Sequence, residues 1–238
     1  MQRQNTGNKG YINEVFHSVQ GEGKHVGARQ LFIRLGGCSV GCKYCDTDFS
    51  IPEIFDVYGV KLKNPITPEE LYKCISEKLD LSLFHSISFT GGEPVEQLEF
   101  LQETAKLFKE GGCKLFLETS GYRHKELKIL KPLFDIFSID VKLCREDWEE
   151  NLRNLLPVLS VIDSEKFYLK AIFSEKNTDD DFRILAKALK EASISKIFAQ
   201  SVDNKAKFDR IDAIQVLFSI EGVEMFYIPQ VHRFLGIR

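Results

Sequence analysis

The sequence predicts an α/β protein built on a parallel core sheet. Short apolar runs rich in β-branched and aromatic residues recur along the chain, and helical patterns of about 10–15 residues separate them. No internal repeat and no linker divides the chain. About six such strands are too few for a closed eight-unit barrel, so a partial barrel or an open α/β sheet fits better.

The individual elements follow from local signals. Apolar runs between turn residues predict strands at 30–35, 86–89, 114–117, 135–141, 166–173, 196–200 and 224–228. Thr67 before Pro68 has the form of a helix start, since a hydroxyl can cap and proline suits the first helical position. Apolar residues at helical spacing predict further helices at 94–109, 124–130, 147–156, 179–191 and 205–220. Functional residues are expected at the carboxyl ends of the strands.

Composition limits the class of protein. The chain has 238 residues, of which 43% are hydrophobic, enough for one sizeable core. We expect a single domain over 1–238, in which 1–10 form a polar N-terminal extension that is flexible or tag-derived. With 32 basic and 35 acidic residues the net charge is −3, which disfavours nucleic acid as a partner.

The expected location is cytoplasmic. No apolar run approaches the roughly 20 residues that span a bilayer, so we expect no membrane partner. The first nine residues are polar and lack the apolar core of a signal peptide. A reducing cytosol follows from these two observations.

Six cysteines fall into two groups. Cys38, Cys42 and Cys45 follow a predicted strand with the spacing C-x3-C-x2-C, and disulfides are disfavoured because disulfide frameworks belong to small secreted chains. Structural zinc normally takes four protein ligands, whereas three cysteines on a [4Fe–4S] cluster leave one iron open to a small molecule. The others are expected to pack as small hydrophobic residues: Cys74, Cys113 and Cys144.

The cysteine spacing resembles the signature of the radical S-adenosylmethionine superfamily. The segment TGGEP, residues 90–94, stands after the second predicted parallel strand, where that superfamily contacts its cofactor. The resemblance implies a partial, modified (β/α)6-like TIM barrel. It also implies a [4Fe–4S] cluster held by the three cysteines, with S-adenosyl-L-methionine on the open iron.

Polar residues at successive strand ends are similar to that superfamily's cofactor contacts. The carboxylate of Glu93 could accept from the cofactor's ammonium group. For the residues near the ends of the third and fourth predicted strands, Ser120, Asp140 and Lys142, a helix cap or a surface ion pair is the alternative interpretation. The implied cofactor-binding residues are Gly92, Glu93, Ser120, Asp140, Lys142 and Gln200.

Four further motifs narrow the resemblance. They are EVFHSVQGEG at 14–23, FIR at 32–34, CDT at 45–47 and PQVH at 229–232. Together they resemble the 7-carboxy-7-deazaguanine synthase family, lyases of queuosine and 7-deazapurine biosynthesis. That family converts 6-carboxy-5,6,7,8-tetrahydropterin to 7-carboxy-7-deazaguanine by a radical ring contraction that expels ammonia. The resemblance implies Mg²⁺, a flavodoxin- or ferredoxin-like electron donor and a homodimer.

The chemistry of a pterin suits particular residues of these motifs. Glu22 can accept from the exocyclic amine and a ring NH, and Arg34 can form a bidentate pair with the substrate carboxylate. A strand-surface ion pair is the alternative for Arg34. The implied substrate-binding residues are Gln20, Glu22, Gly23, Arg34, Thr90 and His232. No side chain is assigned a catalytic role beyond the radical chemistry of the cofactor.

Mg²⁺ is expected at the pair that follows the third cysteine. The hydroxyl of Thr47 can ligate Mg²⁺ when substrate and water supply the remaining oxygens. Asp46 could accept hydrogen bonds that fix the loop, or be a simple turn residue.

Two alternative functions remain open at this point. One is a glycyl-radical-enzyme activase, which shares the cysteine motif but leaves QGEG and PQVH without a purpose. The other is a non-enzymatic zinc-binding protein with a three-cysteine site. The irregular region 48–64 receives no interpretation from sequence.

Overall fold

The computed structural model describes residues 8–45 and 47–237. The chain forms two compact units, and each is described by itself. The first unit comprises Met1–Ser18, Arg29–Thr119 and Ile129–Ile136. The second comprises Val19–Ala28, Ser120–Lys128 and Phe137–Arg238. The expectation of a single domain stays a prediction.

The first unit contains a parallel sheet and a hairpin. Its strands are β1 (Ile12–Val19), β2 (Arg29–Leu35), β3 (Ile54–Val57), β4 (Val60–Lys63), β5 (Ser86–Gly91) and β6 (Leu115–Thr119). Strand β5 pairs in parallel with β2 on one side and with β6 on the other. Its helices are α1 (Pro68–Lys78) and α2 (Leu98–Glu110). The adjacent residues Leu31, Phe32 and Ile33 of β2 are buried, as expected for a parallel strand covered on both faces.

Helix α1 begins as its sequence predicts. The hydroxyl of Thr67 accepts from the backbone N–H of Glu70, and the Glu70 carboxylate accepts from the backbone N–H of Thr67 at 3.1 Å. Pro68 occupies the first turn, where its missing N–H costs nothing. The capping box therefore fixes where the chain leaves the loop.

The region 48–64 contains the antiparallel hairpin of β3 and β4. Its two-residue turn consists of Tyr58 and Gly59, both with positive φ, as tight hairpin turns require. Sequence reasoning missed this hairpin because its strands are only four residues long and carry charged side chains.

The second unit contains four parallel strands. These are β7 (Ile136–Lys142), β8 (Phe167–Phe173), β9 (Lys196–Ser201) and β10 (Glu224–Tyr227), paired in that order. Helix α3 (His124–Leu130) begins in this unit, and the later helices are α4 (Trp148–Leu159), α5 (Asp179–Glu191), α6 (Phe208–Ile220) and α7 (Val231–Leu235). The predicted α/β class is confirmed. Helix α7 was not predicted, since five residues are too few for a periodic pattern.

Every helix in the described part of the chain is too short or too polar to cross a lipid bilayer.

The ends of β2 and β5 approach each other through backbone alone. The Gly92 N–H donates to the carbonyl of Leu35 at 3.0 Å, and the Glu93 N–H donates to that of Gly37 at 3.2 Å. A Cβ at Gly92 would lie 1.9 Å from the Gly37 oxygen, and one at Gly91 would lie 2.2 Å from the Leu35 oxygen. Contact of Gly92 with the cofactor stays a prediction. The structure shows that these two glycines let the backbone after β5 contact the segment that carries the cysteines.

Gly92→Ala should destabilise the protein because the new methyl group meets a rigid backbone carbonyl. We expect a loss of about 1–3 kcal/mol in the free energy of unfolding, as for overpacking elsewhere. Urea unfolding followed by circular dichroism measures this. Gly111→Ala is the matched control, since its Cβ would meet only the terminal hydroxyl of Tyr72. Equal stabilities of the two variants would contradict the role given to Gly92.

Candidate cofactor and substrate sites

The three motif cysteines lie on one loop directly after β2. All three are free thiols, with Cys38 and Cys42 partly buried and Cys45 exposed. The Cys45 thiol lies 3.7 Å from the carbonyl of Thr47. Within 8–45 and 47–237, no three His, Cys, Asp or Glu side chains are grouped as metal ligands. Three accessible thiols on one short loop nevertheless provide the donor set that an iron–sulfur cluster takes.

The start of this loop is anchored to the segment after β5. The backbone N–H of Ser39 donates to Glu96 Oε1 at 2.8 Å, and the Ser39 hydroxyl donates to the same oxygen. Burial raises the pKa of the Cys38 thiol, and the carboxylates of Glu93 and Glu96 act in the same direction. Backbone N–H groups after the cysteine oppose them. Ligation by this thiol therefore requires release of a proton.

Glu93 and Thr90 are buried and hydrogen-bonded within the first unit. Glu93 Oε1 accepts from the hydroxyl of Thr119 at 2.7 Å and from the Val95 N–H at 3.3 Å. The Thr90 hydroxyl donates to Glu118 Oε2 at 2.6 Å. These contacts give Glu93 a helix-capping role, while its contact with the cofactor and that of Thr90 with the substrate stay predictions.

Arg34 forms an ion pair that sequence reasoning considered but could not locate. Its Nε lies 2.9 Å from Oε1 of Glu14, and the guanidinium carbon lies 5.4 Å from the centre of the Phe16 ring. Its role toward a substrate carboxylate stays a prediction.

Thr47 is partly buried, and Asp46 lies outside the described residues.

In the second unit, Glu22 lies in a network of buried charges. The ammonium group of Lys170 donates to Glu22 Oε2, and the amide of Gln230 donates to Oε1 at 3.0 Å. Lys170 also lies 3.2 Å from Asp140 Oδ1, while Lys142 donates to Asp140 Oδ2 at 2.8 Å. The structure thus joins a predicted substrate residue to two predicted cofactor residues.

The environment of Glu22 keeps its carboxylate ionised. Burial by itself would raise its pKa, but the charge of Lys170 and hydrogen bonds from Lys170 and Gln230 outweigh that effect and lower the pKa to about 2. About one-fifth of the side chain is exposed. A carboxylate offers about four lone pairs and two are occupied, so Glu22 can still accept hydrogen bonds from a ligand.

The opening and closing motifs meet in this unit. The Val231 N–H donates to the carbonyl of Gly21 at 2.9 Å, and a Cβ at Gly21 would lie 2.4 Å from Nδ1 of His232. The side-chain oxygen of Gln20 accepts from the Glu22 N–H at 3.0 Å. Gly23 has a φ of +63°, and its Cα faces the ring of Tyr168. The structure therefore brings Gln20, Glu22, Gly23 and His232 together.

Two further predicted residues stand just after or at strand ends. The Ser120 hydroxyl, directly after β6, accepts from the Tyr122 N–H at 3.4 Å. Gln200, at the end of β9, is 3% exposed, and its Oε1 has no hydrogen-bond partner among the described residues. A buried amide oxygen of this kind is costly unless a ligand supplies a donor. Contact of both residues with a cofactor stays a prediction.

Sequence reasoning missed Lys170 and Gln230. Lys170 has one signal, because it is the single charged residue in the apolar run FYLKAIF of β8. Gln230 stands inside the closing motif, but nothing in the sequence shows that its amide turns toward a residue 208 positions away.

Comparison with known proteins extends this description. Residues 32–204 match the sequence profile of the Radical SAM superfamily. The 7-carboxy-7-deazaguanine synthase of Methanocaldococcus jannaschii is 31% identical over 247 residues, covering 95% of this chain and 99% of the relative. That of Archaeoglobus fulgidus is 29% identical over 236 residues, covering 94% of this chain and 97% of the relative.

The solved structures show the same fold. A crystal structure of QueE from Escherichia coli matches with a TM-score of 0.58 and 20% identity, over 93% of this chain and 94% of that chain. At that identity the likeness supports the fold alone. The profile match and the Methanocaldococcus relative go further: the chain belongs to the radical SAM superfamily and, within it, to the 7-carboxy-7-deazaguanine synthase family.

Proposed function

We propose that this chain converts 6-carboxy-5,6,7,8-tetrahydropterin to 7-carboxy-7-deazaguanine by a radical ring contraction with loss of ammonia. Membership of the family supports this, since its relatives carry that name. The structural observation that carries the proposal is the Glu22 carboxylate of the opening motif, which accepts from Lys170 and from Gln230 of the closing motif.

As a radical SAM enzyme, the chain uses a [4Fe–4S] cluster and S-adenosyl-L-methionine. When bound, these groups supply the radical that removes hydrogen from the substrate. The free thiols of Cys38, Cys42 and Cys45 are proposed to ligate the cluster. Gly92, Glu93, Ser120, Asp140, Lys142 and Gln200 are proposed to hold the cofactor.

The protein's own task is to bind and orient the pterin. Glu22 accepts from the exocyclic amine and ring NH, and Gln20 donates and accepts along the same edge. His232, which packs on Gly21, is proposed to bond the substrate carboxylate. A substrate held in one orientation does not have to be aligned during the reaction. This saves entropy and lowers the activation barrier.

Arg34, Thr90 and Gly23 complete the proposed substrate contacts, and Thr47 is the proposed Mg²⁺ ligand. Arg34 is held by Glu14 through Nε alone in the ion pair described above, and a guanidinium carries four further N–H donors. The proposal also includes a flavodoxin- or ferredoxin-like electron donor and a cytoplasmic location, where a reducing environment keeps thiols available.

Cys42→Ala should abolish product formation because the cluster loses one of its three ligands. Anaerobically reconstituted protein with reductant, S-adenosylmethionine and the pterin should form the deazaguanine chromophore and bind about four irons per chain. The variant should form neither 5′-deoxyadenosine nor product. Cys113→Ala, which alters a partly buried thiol outside the motif, serves as the control.

Three outcomes would contradict this assignment. Cofactor cleavage without pterin conversion by the unaltered protein would favour a glycyl-radical-enzyme activase. Zinc in place of iron would favour a non-enzymatic protein. Retained cleavage in Cys42→Ala would overturn the ligand assignment.

Glu22→Gln should weaken pterin binding by about 10- to 100-fold, the effect of losing hydrogen bonds to a charged acceptor. Formation of 5′-deoxyadenosine without substrate should continue, since the carboxylate is not a cluster ligand. Equilibrium binding and a cleavage assay separate the two effects. Glu224→Gln, at an exposed strand carboxylate, is the control. Loss of iron in Glu22→Gln would contradict the role proposed for Glu22.

We also propose a homodimer. Strand β10 ends the strand order, and helix α6 presents Val216 and Ile220, four residues apart on one face, at 52% and 70% exposure. Phe226 on β10 is exposed as well. An apolar strip of this kind beside a terminal strand is a surface that a second copy can cover.

Light scattering coupled to size exclusion should give twice the chain mass for the unaltered protein. The double variant Val216→Glu and Ile220→Glu should give the mass of one chain, because two carboxylates would be buried without partners. Ile184→Glu, at an exposed position on α5, should leave the mass unchanged. A monomeric unaltered protein at tens of micromolar would overturn the proposal.

A further inference from the structure

Lys170 occupies an unusual position for a lysine. It lies in the middle of β8, is 5% exposed, and stands between the apolar residues Leu169 and Ala171. Removing an ammonium group from water costs several kcal/mol unless anions compensate. The compensation comes from Glu22 on one side and Asp140 on the other.

Sheet register explains one of these partners. Asp140 of β7 and Lys170 of β8 are directly opposite residues in the parallel ladder. The other partner comes from the loop between β1 and β2, so the ammonium joins the sheet to the segment that carries the opening motif. With Lys142 on the second oxygen of Asp140, two cations face two carboxylates and the group is neutral overall.

Each carboxylate oxygen in this group has its own donor. Glu22 Oε2 accepts from Lys170, and Oε1 accepts from Gln230. Fixed donors on both oxygens leave the Glu22 carboxylate one orientation instead of several. Asp140 keeps a second cation, Lys142, so removal of Lys170 affects Glu22 more than Asp140.

We propose that Lys170 is the positioning residue for pterin recognition: through its ion pair it fixes the orientation of the Glu22 carboxylate that receives the substrate. This inference rests on the proposed function, because it takes Glu22 as the acceptor of the pterin's N–H groups. Lys170 itself touches no substrate in this scheme and acts through Glu22. A pre-oriented charged acceptor binds its ligand without first paying to order its own side chain.

Lys170→Met preserves the length of the side chain and removes its charge. We expect pterin affinity to fall about 10- to 100-fold, while the iron content stays near that of the unaltered protein. The matched control is Lys196→Met, which removes a strand lysine paired with the exposed Glu224. That variant should bind pterin normally.

The pH profile distinguishes positioning from a structural role. In the unaltered protein the pKa of Glu22 is lowered to about 2, so pterin binding should not depend on this group between pH 5 and pH 7. Without Lys170, burial is opposed only by the hydrogen bond from Gln230 and the charge of His232, so the pKa of Glu22 rises. Pterin binding by Lys170→Met should then weaken, relative to that of the unaltered protein, as the pH falls. The comparison cancels the effect of His232, which both proteins carry. A lysine that only stabilised the fold would lower stability and leave the profile flat.

A measurement on the unaltered fold keeps the inference testable if Lys170→Met does not fold. Carboxyl-carbon NMR of reconstituted protein labelled at glutamate, with the Glu22 resonance assigned by its loss in Glu22→Gln, should show no titration of Glu22 between pH 7 and pH 4. A midpoint near the ordinary 4.5 would overturn the inference.

The two proposals fail in different ways. If the unaltered protein neither binds nor converts the pterin, the proposed function is wrong, whatever the NMR titration shows. If it does both, and Lys170→Met binds equally well with a flat pH profile, the function stands and the role of Lys170 is wrong.

Discussion

Burial of parallel strands on both faces is the constraint on which both units depend. Strands β2, β5 and β6 in the first unit, and β7, β8 and β9 in the second, are almost entirely buried. Charged side chains are therefore confined to strand ends or must bring their own partners. The cysteine loop follows the end of β2, and the TGGEP segment, residues 90–94, lies at the end of β5. Lys170 instead lies in the middle of a strand, where two carboxylates act as its partners.

Apolar patterning and motif spacing predicted a large part of this architecture. Runs such as QLFIRL are continuous because both faces are covered, so strands could be recognised without alternation. The capping box at Thr67 could be read directly, because its atoms lie within three residues of one another. The cysteine triplet was similarly local. These features were predictable because the residues that form them lie close together in the sequence.

Contacts that depend on strand register or on distant loops were not predictable from the sequence. Asp140 meets Lys170 only because β7 and β8 pair in one particular alignment, which no local pattern specifies. Two roles were considered for Arg34, binding of a substrate carboxylate and a surface ion pair. Its ion-pair partner could not be identified, because Glu14 lies 20 residues away on β1. The remaining cysteines agree with packing where the structure describes them: Cys74 is buried, and the thiol of Cys144 lies 3.7 Å from the Ile172 carbonyl.

The hydrogen bond between Glu22 and Gln230 has a consequence for biosynthesis. Its partners are 208 residues apart, and those of the Glu22–Lys170 pair are 148 apart. During translation Glu22 emerges early, without either donor, and it gains Lys170 well before Gln230. Since domains generally fold as units, both donors of Glu22 are in place only after the closing motif has been made. A chain shortened before Gln230 would keep Glu22 with one of its two donors.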